Sequence, residues 1–259
     1  MKLSVLMENT AAQETICAEH GLSLYLETEK HRILFDMGQT AAFSCNAETM
    51  GVDLQGVDLA VLSHGHYDHG GGMAAFLRSN DHAPVYVHRL AFGHPGPGEE
   101  KYIGLDPALQ QSDRLRFVQG NTVLDETLSL HDCCGRQCYL PIQAHGLTIR
   151  TESGWQPETF QHEQYLLIRE NRRKILLSGC SHKGVVNIAR WFMPDVLVGG
   201  FHLMKVENRA ELDAIADELL QLPTVYYTAH CTGLEQYDYL KTRMGERLHY
   251  LPAGSSLCI

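Results

Sequence analysis

The residues best suited to chemistry lie between Ser63 and Gly72, where the chain reads Ser-His-Gly-His-Tyr-Asp-His-Gly-Gly-Gly. An apolar run over positions 59–62 precedes this segment, and a run typical of a helix follows it. Imidazole and carboxylate groups together are ligands for Zn, Fe, Mn, Co or Ni. A histidine-rich surface loop is the alternative, because the chain has 15 histidines. The flanking strand and glycines favour a metal site.

The spacing of these side chains predicts two metal ions. His64 and His66 are two positions apart, so in an extended segment both lie on the same face and can bind one ion. Asp68 and His69 follow, where the chain must turn toward the glycines. They are therefore better placed to bind a second ion.

The C-terminal half repeats an arrangement of strand, histidine and helix. Three predicted strand units each lead to a candidate residue: a hairpin over 163–169 and 173–177, and strands over 195–198 and 224–227. A helix is predicted after each unit, over 185–192, 207–220 and 235–244. In α/β folds the carboxyl ends of such strands converge on one cleft. The candidates at these ends are Cys180, His182, His202 and His230.

Roles follow from these positions. His230 is the first choice as a further ligand of the second ion, with contact to another ligand as the alternative. Either Cys180 or His182 could reach the metals, and both stay open because each residue type binds zinc. His202 is expected to contact substrate or transfer a proton, and His182 and Lys183 are candidate substrate contacts. Lys183 opens a predicted helix beside the metals, where it could hold a phosphate.

The segment from Ser63 to His69, together with Gly-Cys-Ser-His at 179–182, Gly-Gly-Phe-His-Leu at 199–203 and His-Cys-Thr-Gly at 230–233, resembles the metallo-β-lactamase-fold superfamily of binuclear metal hydrolases. Within it, these phrases are similar to a subgroup named as dihydropterin-linked ribofuranosylaminobenzene 5'-phosphate synthases. The resemblance covers nearly the whole chain. It implies one domain over residues 1–259, an α/β fold with four layers (αββα) built from two mixed sheets with helices outside.

The resemblance also implies two further roles. His162 corresponds to the third histidine ligand of the first ion, although the nearer subgroup tends to have Asp-Asp-Gln where this chain has His162-Glu163-Gln164. Asp36, at the end of a strand predicted over 32–38, resembles an Asp that lies near the metals without usually binding them. The alternative for Asp36 is to cap the helix predicted over 40–50.

The function predicted from these residues is metal-dependent hydrolysis. Two divalent ions, with zinc expected and iron or manganese as alternatives, would share a water and make hydroxide available near neutral pH. Asp68 would hold that water in place, and the substrate would be a small phosphorylated, ester or lactone-type molecule. The alternatives are the subgroup's synthase reaction, a catalytically silent metal-bound sensor, and an iron-dependent redox protein. Relatives of the last class have Glu where His66 stands, which counts against it.

Composition restricts the partners. The 259 residues are 44% hydrophobic and 20% charged, with a net charge of −10, so a folded core is expected and non-specific nucleic-acid binding is not. The eight cysteines show no disulfide framework, and the sequence contains no run long enough to cross a membrane. An early carboxylate at Glu8 argues against a signal peptide. We therefore expect a cytoplasmic protein with reduced thiols.

The segment over 91–160 is poorly patterned. Its turn residues and weak periodicity predict an insertion that covers the active site and selects the substrate. It contains Cys133, Cys134 and Cys138 close to His131. These could bind a further metal or form a redox pair, with ordinary reduced cysteines as the alternative.

Overall fold

A computed structural model describes residues 1–98 and 101–259. The strands of this part of the chain are β1 (Lys2–Met7), β2 (Ser23–Glu27), β3 (Arg32–Phe35), β4 (Leu59–Val61), β5 (Val85–His88), β6 (Pro95–Gly96), β7 (Leu115–Val118), β8 (Asn121–Val123), β9 (Leu128–His131), β10 (Thr148–Thr151), β11 (Gly154–Pro157), β12 (Tyr165–Glu170), β13 (Arg173–Leu177), β14 (Val196–Gly199), β15 (Val225–Thr228), β16 (Leu248–Tyr250) and β17 (Ser256–Cys258). The α-helices are α1 (Ala42–Thr49), α2 (Tyr67–Gly70), α3 (Met73–Ser79), α4 (Val185–Phe192), α5 (Arg209–Leu220) and α6 (Leu234–Met244). Short 3₁₀ turns lie at Pro107–Gln111, His230–Thr232 and Gly245–Arg247.

Two large mixed sheets form the inner layers. Seven strands in the order β17-β1-β2-β3-β4-β5-β7 make the first sheet, and seven in the order β16-β15-β14-β13-β12-β9-β8 make the second. β3, β4, β5 and β7 run parallel to one another, as do β13 to β16. The ends of these parallel strands carry the candidate residues.

Alternation along the strands explains the layers. In β12, Leu166 and Ile168 pack into the cluster between the sheets, whereas Tyr165 and Leu167 pack toward the helices α4, α5 and α6. The period of two places one apolar row on each face of a strand that is buried on both sides. Helices α1 and α3 cover the outer face of the first sheet in the same way. The predicted αββα architecture is confirmed.

The poorly patterned segment over 91–160 adds strands to both large sheets and forms a third, smaller sheet. β7 extends the first sheet, and β8 and β9 extend the second. Among the described strands of this segment, β6, β10 and β11 form a separate three-stranded sheet. The edge strand β8 is short and largely exposed, so it lacks the apolar alternation by which a buried strand is recognised.

A further property of the helices is whether any of them could span a membrane. Among the described residues, no helix combines the length and the apolar character that crossing a bilayer requires.

Candidate metal centre

The first part of the centre forms where β4 ends. β4 is buried between two parallel neighbours, and the chain leaves it at Leu62 to enter the histidine-rich loop and the short helix α2. Gly65 is required in this loop, since a Cβ at that position would lie 1.9 Å from the Ala91 carbonyl oxygen. The close approach fixes the backbone between His64 and His66.

Three imidazoles converge beside this loop. The Nε2 atom of His64 lies 3.1 Å from Nδ1 of His66 and 3.3 Å from Nε2 of His182. All three side chains are buried. These atoms form one group whose members lie close enough together to share an ion.

A second group forms next to the first. His230 Nε2 lies 3.2 Å from His69 Nε2 and 3.3 Å from an oxygen of Asp68, and the same oxygen lies 3.3 Å from Nε2 of His20. The Cys180 Sγ lies 3.1 Å from His69 Nε2 and also belongs to a group with His64. Cys180 is therefore placed between the two groups.

The tautomers of the ligands follow from their other hydrogen bonds. The Asp36 carboxylate can only accept, so the Ser63 hydroxyl and His69 Nδ1 donate to it at 2.7 and 2.6 Å. Because the Ser63 hydroxyl has donated its proton, it accepts from Nδ1 of His64 at 2.8 Å. His230 Nδ1 likewise donates to Asn9 Oδ1 at 2.8 Å. In all three histidines Nδ1 carries a proton, so Nε2 is the atom available to a metal.

The contacts of these imidazole nitrogens show whether a metal ion fits the site. The Nε2 atoms of His69 and His230 face each other at 3.2 Å, so either a proton or a metal ion lies between them. In the first group, His66 Nε2 and His182 Nδ1 are buried without a hydrogen-bond partner among the described residues. Imidazole, thiol and carboxylate are the donor types that bind zinc and related ions. The residues present therefore fit divalent metals.

Burial keeps the first group neutral. It lowers the pKa of His66 to about 3 and holds the pKa values of His64 and His182 well below their usual range. A histidine must be unprotonated to bind a metal. The three side chains are consequently ready as ligands at neutral pH.

The second group attracts cations. Burial alone would lower the pKa of His69, but the carboxylates of Asp36 and Asp68 raise it to about 9. Burial works against ionisation of Asp68 too, yet His69, His20 and His230 hold the pKa of its carboxyl well below the usual range. Asp68 is thus a carboxylate, and a metal ion can replace the proton that His69 would otherwise hold.

His162 lies outside these groups, which differs from the role that the resemblance implies. Its Nδ1 accepts a hydrogen bond from the Gly65 amide at 3.0 Å. Its Nε2 is buried 3.9 Å from Glu158 and has no hydrogen-bond partner among the described residues. His182 occupies the place beside His64 and His66 instead.

Lys183 is also placed differently from the expectation of a phosphate contact. Its ammonium group is buried and donates to the carbonyl oxygens of Asp132 and Glu163 at 2.6 and 3.0 Å. The Glu163 carboxylate in turn accepts from the amides of His182 and Lys183. Lys183 and Glu163 therefore position the loop that carries His182, and the lysine is not available to a substrate.

Asp36 lies beside the candidate metal ligands rather than at a helix cap. Its carboxylate bonds Ser63 and His69, whereas α1 begins without a side-chain cap. The cysteines Cys133, Cys134 and Cys138 join none of the candidate metal groups found among the described residues. The further metal predicted as an alternative there has no support.

Sequence reasoning missed four residues of the centre. Glu8 accepts from the His230 amide at 2.6 Å, and Asn9 orients the His230 ring. His20 bonds Asp68, and Cys231 forms a group with Cys180 and His202. Glu8 and Asn9 directly follow β1, and this polar pair at a strand end was the available signal. His20 lies in an irregular loop whose pattern predicts nothing.

His202 borders a cavity next to the centre. Its ring lies 4.3 Å from the His182 ring, measured between centroids, and its Nδ1 is buried without a partner among the described residues. The cavity has a volume of about 230 Å³ and extends between α4, α5 and the loop over 140–145. His202 is therefore placed where a substrate in the cavity would meet the metal centre.

Comparison with known proteins agrees with this geometry. Residues 18–142 match the family model of the metallo-beta-lactamase superfamily. The chain has the fold of that superfamily, and its resemblance to these metal-dependent proteins is confirmed.

Individual relatives are more distant. Tm1679, a metal-dependent hydrolase of the beta-lactamase superfamily, has a crystal structure that covers 100% of this chain and 99% of its own, with a TM-score of 0.82 and 26% identity. An uncharacterized protein of Methanocaldococcus jannaschii is 26% identical over 90% of this chain and 91% of its own length. The same organism's 7,8-dihydropterin-6-methyl-4-(beta-D-ribofuranosyl)-aminobenzene-5'-phosphate synthase is 25% identical over 98% and 95%.

Proposed function

We propose that the protein is a metal-dependent hydrolase that cleaves a small ester, lactone or phosphoester at this centre. The observation that carries the proposal is the convergence of buried imidazole Nε2 atoms from His64, His69 and His230 on a carboxylate and a thiol. Burying several imidazoles, a thiol and a carboxylate together is costly in a purely structural core, and metal binding offsets that cost.

We propose two ions, with zinc as the preferred metal. His64, His66 and His182 would hold one, and Asp68, His69 and His230 the other, with Cys180 between them. A thiolate and several imidazoles favour zinc over magnesium or calcium. Bound at such a site, divalent ions supply Lewis acidity and make water acidic enough to react near neutral pH.

The protein's own residues complete the site. Phe160 stacks on the His182 ring at 4.2 Å and shields it from water on that face. Asp36, Ser63 and Asn9 hold the ligand rings in orientation. His202, between the centre and the cavity, is positioned to deliver a proton to a leaving group. In the overall reaction water adds to the acyl or phosphoryl atom, its bond to the leaving oxygen breaks, and that oxygen takes up a proton.

The direct test is the His66→Ala variant, assayed with a panel of esters, lactones and phosphoesters and analysed for bound metal. We expect the wild-type protein to hydrolyse at least one class, and the variant to lose both activity and metal. The matched control is His82→Ala, since His82 is exposed and distant in the chain from the ligand loops. Retained turnover with full metal content in His66→Ala would contradict the assignment.

A synthase of the kind named for the second Methanocaldococcus relative is the other candidate, favoured by a match that spans nearly both chains. It would join a pterin to a ribosylaminobenzene phosphate. An assay with both co-substrates separates the two, because condensation requires both and hydrolysis requires only one. Tight binding without turnover in either assay would favour a sensor.

We keep the cytoplasm as the predicted location, to be checked by cell fractionation.

A further inference from the structure

The cavity beside the centre has a mostly apolar wall. It opens next to His182 and His202, and α4, α5 and the loop after β14 line it. The apolar side chains that form most of this wall are Leu140, Val185, Phe201, Leu203, Val206 and Ile215. Apolar surface around a cavity favours an apolar occupant, because both then leave water.

The charged groups in the wall disfavour an anionic occupant of the cavity. Among the described residues that line the cavity, Glu211 is the one carboxylate, and neither lysine nor arginine is present. Burial also lowers the pKa of His145, so this ring is neutral at pH 7. A phosphate or carboxylate placed beside Glu211 would meet a like charge and neither lysine nor arginine.

The size of the cavity limits the occupant further. Pockets for drug-sized ligands measure roughly 300–1,000 Å³, and this one is about 230 Å³. A pterin joined to a ribosylaminobenzene phosphate is both larger and anionic. A short acyl chain matches the cavity in size and polarity.

We propose that this cavity binds the acyl chain of the substrate, and that the substrate is a carboxylic ester or lactone whose short chain is apolar and uncharged. The proposal rests on the hydrolytic function proposed above and specifies its substrate class. With the chain in the cavity, the carbonyl carbon lies toward His182 and His202, next to the metal ligands. Water adds to that carbon, the bond from carbon to the leaving oxygen breaks, and that oxygen takes up a proton; an ester gives a carboxylic acid and an alcohol, and a lactone gives one hydroxy acid.

The first experiment compares two substrates that differ at one end. 4-Nitrophenyl hexanoate and the 4-nitrophenyl monoester of adipic acid share a leaving group, but the latter ends in a carboxylate. Burying an unpaired carboxylate is costly, so we expect kcat/KM for the hexanoate to exceed that for the adipate by at least about tenfold. Equal values, or a preference for the adipate, would overturn the proposal.

Substitutions on α5 locate the effect. Ala214 lies at the edge of the cavity, so Ala214→Phe should narrow it and raise KM for the hexanoate, with little change for 4-nitrophenyl acetate. Ala210→Phe is the matched control, because Ala210 is an exposed alanine on the same helix that does not line the cavity. An equal effect of both substitutions would contradict binding in this cavity.

Charge reversal provides the second comparison. Glu211→Lys supplies the missing positive charge, and we expect it to reduce the preference for hexanoate over adipate by at least about fivefold. Glu207→Lys, at an exposed glutamate one turn earlier in the chain and outside the cavity, should leave the preference unchanged. Unaltered discrimination in Glu211→Lys would contradict the electrostatic part of the proposal.

A binding experiment separates failure of this proposal from failure of the hydrolase function. Hexanamide and adipamic acid are not activated esters, so NMR titration of the zinc-loaded protein measures binding without turnover. Shifts at Val185 and Ile215 with hexanamide alone would support the cavity's role even if no ester were cleaved. Ester hydrolysis combined with no binding of hexanamide at these residues would overturn the proposal and leave the hydrolase function intact.

Discussion

Asp36 connects the two halves of the metal centre. Its carboxylate is fully buried and accepts from the Ser63 amide, the Ser63 hydroxyl and His69 Nδ1. Through Ser63 it also sets the tautomer of His64. The residue has a positive φ of 58°, which is unusual for aspartate and is tolerated because these three bonds fix it. One carboxylate thus orients a ligand of each proposed ion.

The substitution Asp36→Asn tests this connection. The amide keeps the shape of the carboxylate but has one accepting oxygen instead of two, so it cannot accept from the Ser63 amide as well as from the Ser63 hydroxyl and His69. We expect zinc affinity to fall by roughly 10–100-fold, as for other groups that orient metal ligands. Competition with a chromophoric chelator measures this affinity, with the exposed Asp53→Asn as control. Wild-type affinity in Asp36→Asn would show that the ligands orient themselves without it.

A pair of variants distinguishes His182 from His162 as a ligand. His182 Nε2 lies 3.3 Å from His64 Nε2, whereas His162 Nδ1 is occupied by the Gly65 amide. We expect His182→Ala to bind one zinc fewer per protein, and His162→Ala to keep its full zinc content. Metal analysis after exhaustive dialysis gives the stoichiometry. The opposite result would restore His162 as the third ligand and remove His182.

At the scale of elements, the ligand loops depend on close packing between strand ends. β4 and β13 belong to different sheets, yet their ends meet where Gly179 lies against Ser63. A Cβ at Gly179 would come within 2.1 Å of Ser63 Oγ and 3.1 Å of His64 Nδ1. Only glycine leaves the Ser63 hydroxyl in place for its bond to His64.

We therefore expect Gly179→Ala to weaken zinc binding more than it weakens the fold. The new methyl group displaces Ser63 and with it the His64 ring, while the buried strands β4 and β13 remain paired. Chelator competition should show reduced affinity, and chemical denaturation of the metal-free protein should show a loss of about 1–3 kcal/mol from overpacking. Gly93→Ala serves as the control, because a Cβ there would come no closer than 3.2 Å to a neighbouring atom and the φ of Gly93, like that of Gly179, is not positive. Unchanged zinc affinity in Gly179→Ala would contradict the positioning role of this contact.

The sequence predicted those elements in which burial of one face produces a regular spacing of apolar residues. The helix over 185–192 and the strand over 173–177 have the predicted bounds, because apolar periodicity marks both. His182 and His230 lie on one side of the centre because the parallel strands β13 and β15 end at the same edge of the second sheet, and His64 reaches them because the end of β4 packs against that edge. The position of Lys183 could not be predicted, since its partners are carbonyl groups of Asp132 and Glu163, contributed by loops distant in the sequence. Spacing along a chain carries no information about such contacts.

At the scale of the whole molecule, the proposed metals join the two sheets. The loop after β4 supplies His64, His66, Asp68 and His69 from the first sheet. The loops after β13 and β15 supply Cys180, His182 and His230 from the second. Ions bound here would add cross-links between layers that already meet through apolar packing and through hydrogen bonds such as that from the His230 amide to Glu8. Metal binding should then contribute to the stability of the entire fold.

Removing the metal should therefore lower the melting temperature of the whole protein in one transition. A ligand at 100 times its Kd stabilises the folded state by about 2.7 kcal/mol, which corresponds to a shift on the order of 5–10 °C in a chain of this size. Calorimetry of zinc-loaded and chelator-treated protein measures the difference. The variant His182→Ala should lose much of the shift, because one group of ligands is then incomplete, and His82→Ala should keep it. If the metal-free protein, confirmed to be free of zinc, melted at the same temperature as the loaded form, the ions would not connect the sheets.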